Sequence, residues 1–177
     1  SSLKSMISGQ DDYNTDIKPD NNCAPLTDAV SSIEWIGNNM GNIFACTCWD
    51  GSLRVYEVFN AGYTPALQIK INVKAKSPLT KCVWSQDNTI IYVGDITGLI
   101  QAFNLQTQQF TDVGKHNAAI SALHVIPGQN IVISAAFENN VYFWQPGNTA
   151  PVFTIDVGNK VFCSDCAYPI LLTGLGN

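Results

Sequence analysis

Positive charge is scarce in this chain. Of 177 residues, nine are Lys or Arg against fourteen Asp or Glu, for a net charge of −5, and Arg54 is the only arginine. That balance excludes a strong autonomous grip on a phosphate backbone, which draws its affinity from clustered cations. One small basic group, Lys70, Lys74, Lys76 and Lys81, falls around a single connection; it reads as a solvated loop or, alternatively, as a nucleic-acid contact. Long apolar runs are missing as well. Nothing approaches the roughly 18 consecutive apolar residues of a membrane helix, and the opening SSLKSMISGQDD has no apolar signal core, so we expect no membrane insertion and an intracellular location.

Catalytic groups are equally thin. The only histidines are His116 and His124, and neither a glycine-rich phosphate loop nor an HExxH string occurs. A Cys–His dyad needs only a thiolate beside a base, but a bracing role for His116 and a plain strand position for His124 account for both. Asp11 and Asp12 lie in a polar segment, where solvated carboxylates are expected. We therefore expect no enzyme, no cofactor and no small-molecule substrate. The six cysteines point the same way. On a strand, Cys46 and Cys48 share one face, whereas Cys163 and Cys166 stand an odd step apart and face opposite sides. A zinc knuckle needs a tight turn between its thiols, and here the spacer is two residues of an apolar, strand-like run. Buried free thiols, with no metal, are the expectation.

What is present is a core and a repeat. With 46% apolar residues the chain can bury one sizeable core, and its length does not require two domains. Residues 1–29 are polar, rich in Asn, Asp and Ser, and carry no sustained period; they read as an arm with a disordered tip. From Val30 a pattern returns three times: VSSIEWI…FACTCWDGSLRVYE, PLTKCVWS…IYVGDITGLIQAFN and AISALHVI…VISAAFENNVYFWQ. Equivalent positions, Trp35 to Trp84, Cys82 to Leu123, Tyr56 to Phe103 and Phe103 to Trp144, lie 49, 41, 47 and 41 residues apart. Propeller blades, each a four-stranded antiparallel sheet of about 40 to 45 residues, have this spacing. Function in such an array belongs to surfaces between blades.

Strands are expected near 30–36, 42–49, 52–58 and 66–73; 79–85, 88–95, 98–104 and 109–113; and 119–126, 130–136, 140–145 and 151–157. The blades so defined run over about 30–75, 76–114 and 115–158. The pair Asp50-Gly51, and Gly98 in the second unit, supply the tight turns. The apolar positions that open each unit, Val30/Ile33/Trp35, Leu79/Cys82/Trp84 and Ile120/Leu123/Val125, contain one odd step. A β-bulge early in each first strand would return all three to one face. The rhythm starts again at Val161, so that 159–177 reads as a partial fourth blade. An array of three and a half blades leaves edges and faces bare, and we expect a piece of a longer, closed propeller.

The blades resemble the WD-repeat superfamily, whose typical unit joins a His before the first strand, a Ser or Thr in the second, an Asp in the following turn and a Trp in the third. His116, Ser134 and Trp144 fill three of these places in the third blade, with Glu138 in the slot of the turn Asp. The first blade keeps Asp50, with Cys46 and Tyr56 at the other places. The second has Val93, Thr97 and Phe103, almost none of the network. More narrowly, DAVSSIEWI, CWDGSLRVYEV, LTKCVWSQDN, KHNAAISALHVI and VFCSDCAYP, in that order, resemble the opening half of the nuclear-pore-associated WD-repeat mRNA export factors. A sister family, the WD-repeat spindle-checkpoint proteins, shares much of the pattern; VFCSDCAYP and KHNAAI favour the export factors. Both are seven-bladed. The resemblance implies a non-enzymatic adaptor that binds a nucleoporin GLEBS-type peptide over the propeller's top face. It also implies association with messenger ribonucleoprotein, any RNA contact being indirect or weak. The implied location is the nucleus and nuclear pore, with the cytoplasm besides. A checkpoint scaffold that binds kinase peptides, and direct RNA binding in a basic groove, stay open as alternatives.

No motif in this stretch is itself a contact signature, so physical chemistry nominates the surface. The turn between second and third strands and the connection into the first strand emerge on one rim. The residue before the turn acid is then exposed there: Trp49, Ile96 and Phe137. Large apolar groups at a rim invite a partner, and aromatic anchors dominate interface energetics. Wedging between blades as core is the alternative for both aromatics. Asp50, Glu138, Thr80, Lys81 and Ser121 are the expected polar surround.

Overall fold

A computed structural model describes residues 27–37, 41–61, 64–148 and 150–176. The expected N-terminal arm lies outside the described residues except for its last three positions. Thr27 is hydrogen-bonded through its hydroxyl to the Asp50 carboxylate, and the Ala29 carbonyl accepts from the Trp49 amide at 3.0 Å.

The described chain is all β, a partial propeller of three four-stranded sheets and a two-stranded hairpin. The first sheet holds β1 (Val30–Trp35), β2 (Ile43–Cys48), β3 (Ser52–Ala61) and β4 (Thr64–Lys74). The second holds β5 (Leu79–Trp84), β6 (Ile90–Asp95), β7 (Leu99–Asn104) and β8 (Gln109–Lys115). The third holds β9 (Ile120–Ile126), β10 (Ile131–Ala136), β11 (Asn140–Trp144) and β12 (Phe153–Asp156), and the hairpin β13 (Val161–Ala167) and β14 (Ile170–Leu175). Every sheet is an antiparallel meander in chain order. The third hairpin strand pair of the first sheet, β3 and β4, runs longer than expected, and a cross-strand ion pair, Lys70 to Glu57 at 2.8 Å, lies along it. One of the four clustered lysines is thereby paired.

The cores lie between sheets. Leu53, Val55 and Ala45 of the first sheet meet Leu79, Cys82, Trp84 and Ile91 of the second. Tyr92, Ile100 and Val113 of the second meet Ile120, Leu123, Val132 and Trp144 of the third, and Ile133, Ala135 and Val141 of the third close on Val161 of the hairpin. Period-2 alternation therefore serves two interfaces at once, one face of a sheet packing backwards and the other forwards. The first strands β1, β5, β9 and β13 stand side by side on the inside of the array.

All four first strands carry the bulge that the odd apolar step predicts. The register skips one residue against the partner strand between Val30 and Ser32, Leu79 and Lys81, Ile120 and Ala122, and Val161 and Cys163. The turns between second and third strands press on the connection that leaves the same sheet. At Gly98 the backbone has φ +88, and a Cβ there would stand 2.4 Å from the His116 carbonyl oxygen.

Two expectations need correction. Cys46, Cys48 and Cys82 are buried free thiols, but Cys163 is exposed and Cys166 half-buried, because the hairpin has no further sheet over its forward face among the described residues. Burial pushes the Cys82 thiol up to about 12, so it stays protonated. The second blade is also better braced than its residues suggest. Asp95, two positions before the slot of the turn acid, accepts from the Thr97 amide and hydroxyl at 2.8 Å each and from the Leu99 amide at 2.9 Å.

Candidate protein-binding site at the inner rim

The bulges build the site. The residue each of them leaves unpaired is Ser31, Thr80, Ser121 or Phe162. An extra residue in one strand re-aims its side chain out of the ladder. All four line one groove of about 310 Å³, with Val30, Trp49, Lys81, Ile120 and Phe137. Its lining therefore comes from the same structural position in four successive units.

The aromatic members come from the first, third and fourth units. Trp49 is 46% and Phe137 41% exposed, and Phe137 meets Phe162 edge to face with ring centroids 5.3 Å apart. Their backbones are pinned by matching bonds: the amides of Trp49, Ile96 and Phe137 donate to the carbonyls of Ala29, Pro78 and Ala119, each immediately before a first strand. Ile96 is exposed at the same level but stands outside the groove. Phe137 is half-exposed and its ring meets Phe162 of the next unit, while Trp49 is half-exposed at the equivalent position of the first.

The polar members differ from a solvated surround. Thr80 and Ser121 are buried, 8% and 3% exposed. Thr80 donates to the Gly94 carbonyl at 3.1 Å, and Ser31 donates to the Leu79 carbonyl at 2.7 Å. The Ser121 hydroxyl is buried and has no hydrogen-bond partner among the described residues. Asp50 is spent on its own turn, accepting from the Ser52 amide at 2.8 Å and hydroxyl at 2.6 Å. Those hydrogen bonds and that of Thr27 hold its carboxyl far below the usual carboxylate range.

Glu138 serves the interior and not the rim, a correction to its expected place. Its carboxylate takes one imidazole nitrogen of His116, Nδ1, at 2.6 Å and the Asn117 amide at 3.2 Å. The other nitrogen, Nε2, lies 2.7 Å from the Ser134 hydroxyl, which also accepts from the Trp144 indole at 2.7 Å. Burial pushes the His116 imidazole below its ordinary value, against the pull of Glu138. The neutral ring then carries its proton on Nδ1, donating to Glu138 and accepting from Ser134, and every member of the chain is satisfied. On the channel side His124 stands 2.7 Å from the Ser164 hydroxyl, linking β9 to β13, and burial lowers its proton affinity too, against Asp165. Glu34 and Lys81 face the same space.

Both histidines therefore bind a proton more weakly in the native state than in the unfolded chain. Below an ordinary value of 6.5 the unfolded state takes up protons that the folded state refuses, so stability is expected to fall as pH drops from 6.5 towards the lower native values. A melting series between about pH 7.5 and about pH 5 reads this, above the acid range of the carboxylates. A melting temperature that is constant down to about pH 5.5 would contradict it.

The single arginine, Arg54, is buried in the first sheet at 7% exposure and is not offered to a phosphate. Among the described residues no group of three or more His, Cys, Asp or Glu is placed to hold a metal ion. Phe162 was not singled out as a site residue by the sequence. Its signal is there, in the skipped position of the fourth repeat.

No protein-family model matches the sequence. Among curated proteins it is 23% identical over 157 residues to Protein Rae1 of Drosophila melanogaster, covering 87% of this chain and 44% of that protein. It is 24% identical over 160 residues to the Poly(A)+ RNA export protein of Schizosaccharomyces pombe, covering 88% and 44%. To the spindle assembly checkpoint protein bub3 of the same yeast it is 26% identical over 147 residues, covering 83% and 44%. The chain spans less than half the length of these relatives. Among solved structures the computationally designed Ika4 protein superposes with a TM-score of 0.66 at 18% identity, covering 85% of this chain and 88% of that one, a likeness of fold.

Proposed function

Starting from a chain that is a WD-repeat relative of the mRNA export factors, with the spindle-checkpoint proteins as its sister group, we propose that it acts as a non-enzymatic adaptor in messenger RNA export. It takes a nucleoporin GLEBS-type peptide in the groove at the inner rim and supports poly(A) RNA export at the nuclear pore. Blades beyond those described complete a seven-bladed ring, and contact with messenger ribonucleoprotein runs through protein partners.

One observation carries the reading: the four bulged positions, with Trp49 and Phe137, converge on a single groove whose lining combines aromatic rings with hydroxyl side chains. An extended peptide can set an apolar side chain against Phe137 and Phe162, which are both exposed and meet edge to face. Aromatic anchors in half-covered pockets are where binding energy concentrates. The net charge of −5 and the burial of Arg54 make direct phosphate binding a poor fit.

The second reading is a checkpoint scaffold, favoured by the comparable identity to bub3. Pull-down with a GLEBS-type peptide against a checkpoint-kinase peptide separates the two; capture of the kinase peptide alone would overturn the export assignment. Trp49→Ala should weaken binding of the captured peptide by about 1 to 3 kcal/mol with little change in melting temperature. A large loss of stability with unchanged binding would make Trp49 a core residue. If RNA binds directly, its affinity must fall steeply with rising salt.

A further inference from the structure

A single charge stands in the inner-rim groove. Of the residues that line it only Lys81 carries a formal charge, and no aspartate or glutamate is among them. The acids at the rim beside it are engaged elsewhere, Asp50 in its own turn and Glu138 with His116. In a chain of net charge −5, the groove is therefore locally positive.

The repeat shows that the fold does not ask for this lysine. Lys81 follows the residue skipped by the bulge of β5, and the same place in β1, β9 and β13 holds Ser32, Ala122 and Cys163, all small and uncharged. Nor does Lys81 have an ionic partner of its own. Among the described residues the ion pairs are Lys70 with Glu57 and His116 with Glu138, and Lys81 joins neither. Glu34 lies within its field, but that carboxylate lines the channel beneath and not the groove. Lys81 itself is half-buried where the two spaces meet. A cation partly removed from water with no ion pair in return gains from an anion that a ligand brings to it.

We propose that Lys81 selects the charge of the partner: resting on the reading of the groove as a peptide site, it pairs with an aspartate or glutamate that stands beside the apolar anchor of the bound segment. Anchor and carboxylate must be close in sequence. Phe137, Phe162 and Lys81 share one groove of about 310 Å³, and an extended chain advances about 3.3 Å per residue, so the acid is the next residue or the one after. Charge complementarity of this kind chooses among partners more than it adds affinity. A segment with basic residues beside its anchor is disfavoured.

The test is a titration of the 177-residue chain with acetyl-Glu-Leu-Glu-amide, acetyl-Gln-Leu-Gln-amide and acetyl-Lys-Leu-Lys-amide, followed by methyl chemical shifts of Val30 and Ile120, which line the groove. At low salt the acidic peptide should bind roughly threefold more tightly than the neutral one, and the basic peptide more weakly than either. Rising salt should bring the three affinities together. Lys81→Gln should level them at low salt too, whereas Lys81→Arg, which keeps the charge, should preserve their order; a purely structural lysine would leave the order unchanged in both variants. Equal affinities in the parent chain, or an order that survives in Lys81→Gln, would overturn the role of Lys81 and leave the groove a peptide site. Absence of shifts at Val30 and Ile120 with every peptide would overturn the groove reading itself, and this proposal with it.

Discussion

Trp144→Ala should lower stability by about 3 to 5 kcal/mol, the usual cost of emptying a large buried aromatic site. In a chain of this size that is a fall in melting temperature of roughly 6 to 20 °C. The ring is 3% exposed and sits in the interface between the second and third sheets. Opposite it is Gly114 of β8, where a Cβ would come within 2.3 Å of the indole, so the preceding sheet is shaped around this one ring. Its removal also takes a donor from Ser134 and unseats the Tyr142 ring, which meets it edge to face at 5.4 Å and lies on His116 at 4.4 Å. Equal melting temperatures for variant and parent would show that the hydrogen-bonded chain from Trp144 to Glu138 braces nothing.

Gly98→Ala should cost on the order of 3 kcal/mol, far more than one methyl group on a surface turn suggests. Two terms add. The backbone has φ +88, which an L side chain adopts only at a cost of about 1 to 2 kcal/mol. The new Cβ would also lie 2.4 Å from the His116 carbonyl and 2.6 Å from that of Ala118, and backbone oxygens of the β8–β9 connection cannot step aside as a side chain can. His116 itself donates its amide to Gly98 at 2.9 Å, so relief of the clash pulls on the bracing histidine. Gly128→Ala is the control. Its φ is +77 but nothing lies within 4 Å of the added atom, so it should show the conformational term alone. Equal losses for the two would mean that the clash contributes nothing.

Much of this architecture is legible in the sequence, because the propeller repeats its instructions. The odd step in Val30/Ile33/Trp35 and its counterparts announces a bulge, and the bulge is there in every unit. Glu138 fills the slot of the turn acid, yet its charge suggests a rim residue, and only the structure shows its carboxylate turned to His116. Other parts resist for identifiable reasons. Asp95 braces its turn from the end of a strand, through bonds two and four residues on, a reach that slot-by-slot comparison passes over. Thr80 and Ser121 look like surface residues because they are polar, yet the bulge turns them inward to line a groove. Phe162 and Cys163 depend on what stands beyond the hairpin, which periodicity within one strand does not encode. The groove itself becomes readable only when the skipped residue of each bulge is treated as the one that points to a ligand.

The placement of the cores sets how the molecule comes apart. A sheet here owns no interior; it lends one face to the sheet before and the other to the sheet after. The smallest stretch of chain with a core of its own is a pair of neighbouring sheets, and stability grows by interfaces, as in a nearest-neighbour chain. Melting of the second or the third sheet therefore dissolves two of the described interfaces at once, so that a core substitution in either, at Tyr92 or Ile133, should loosen its neighbours on both sides.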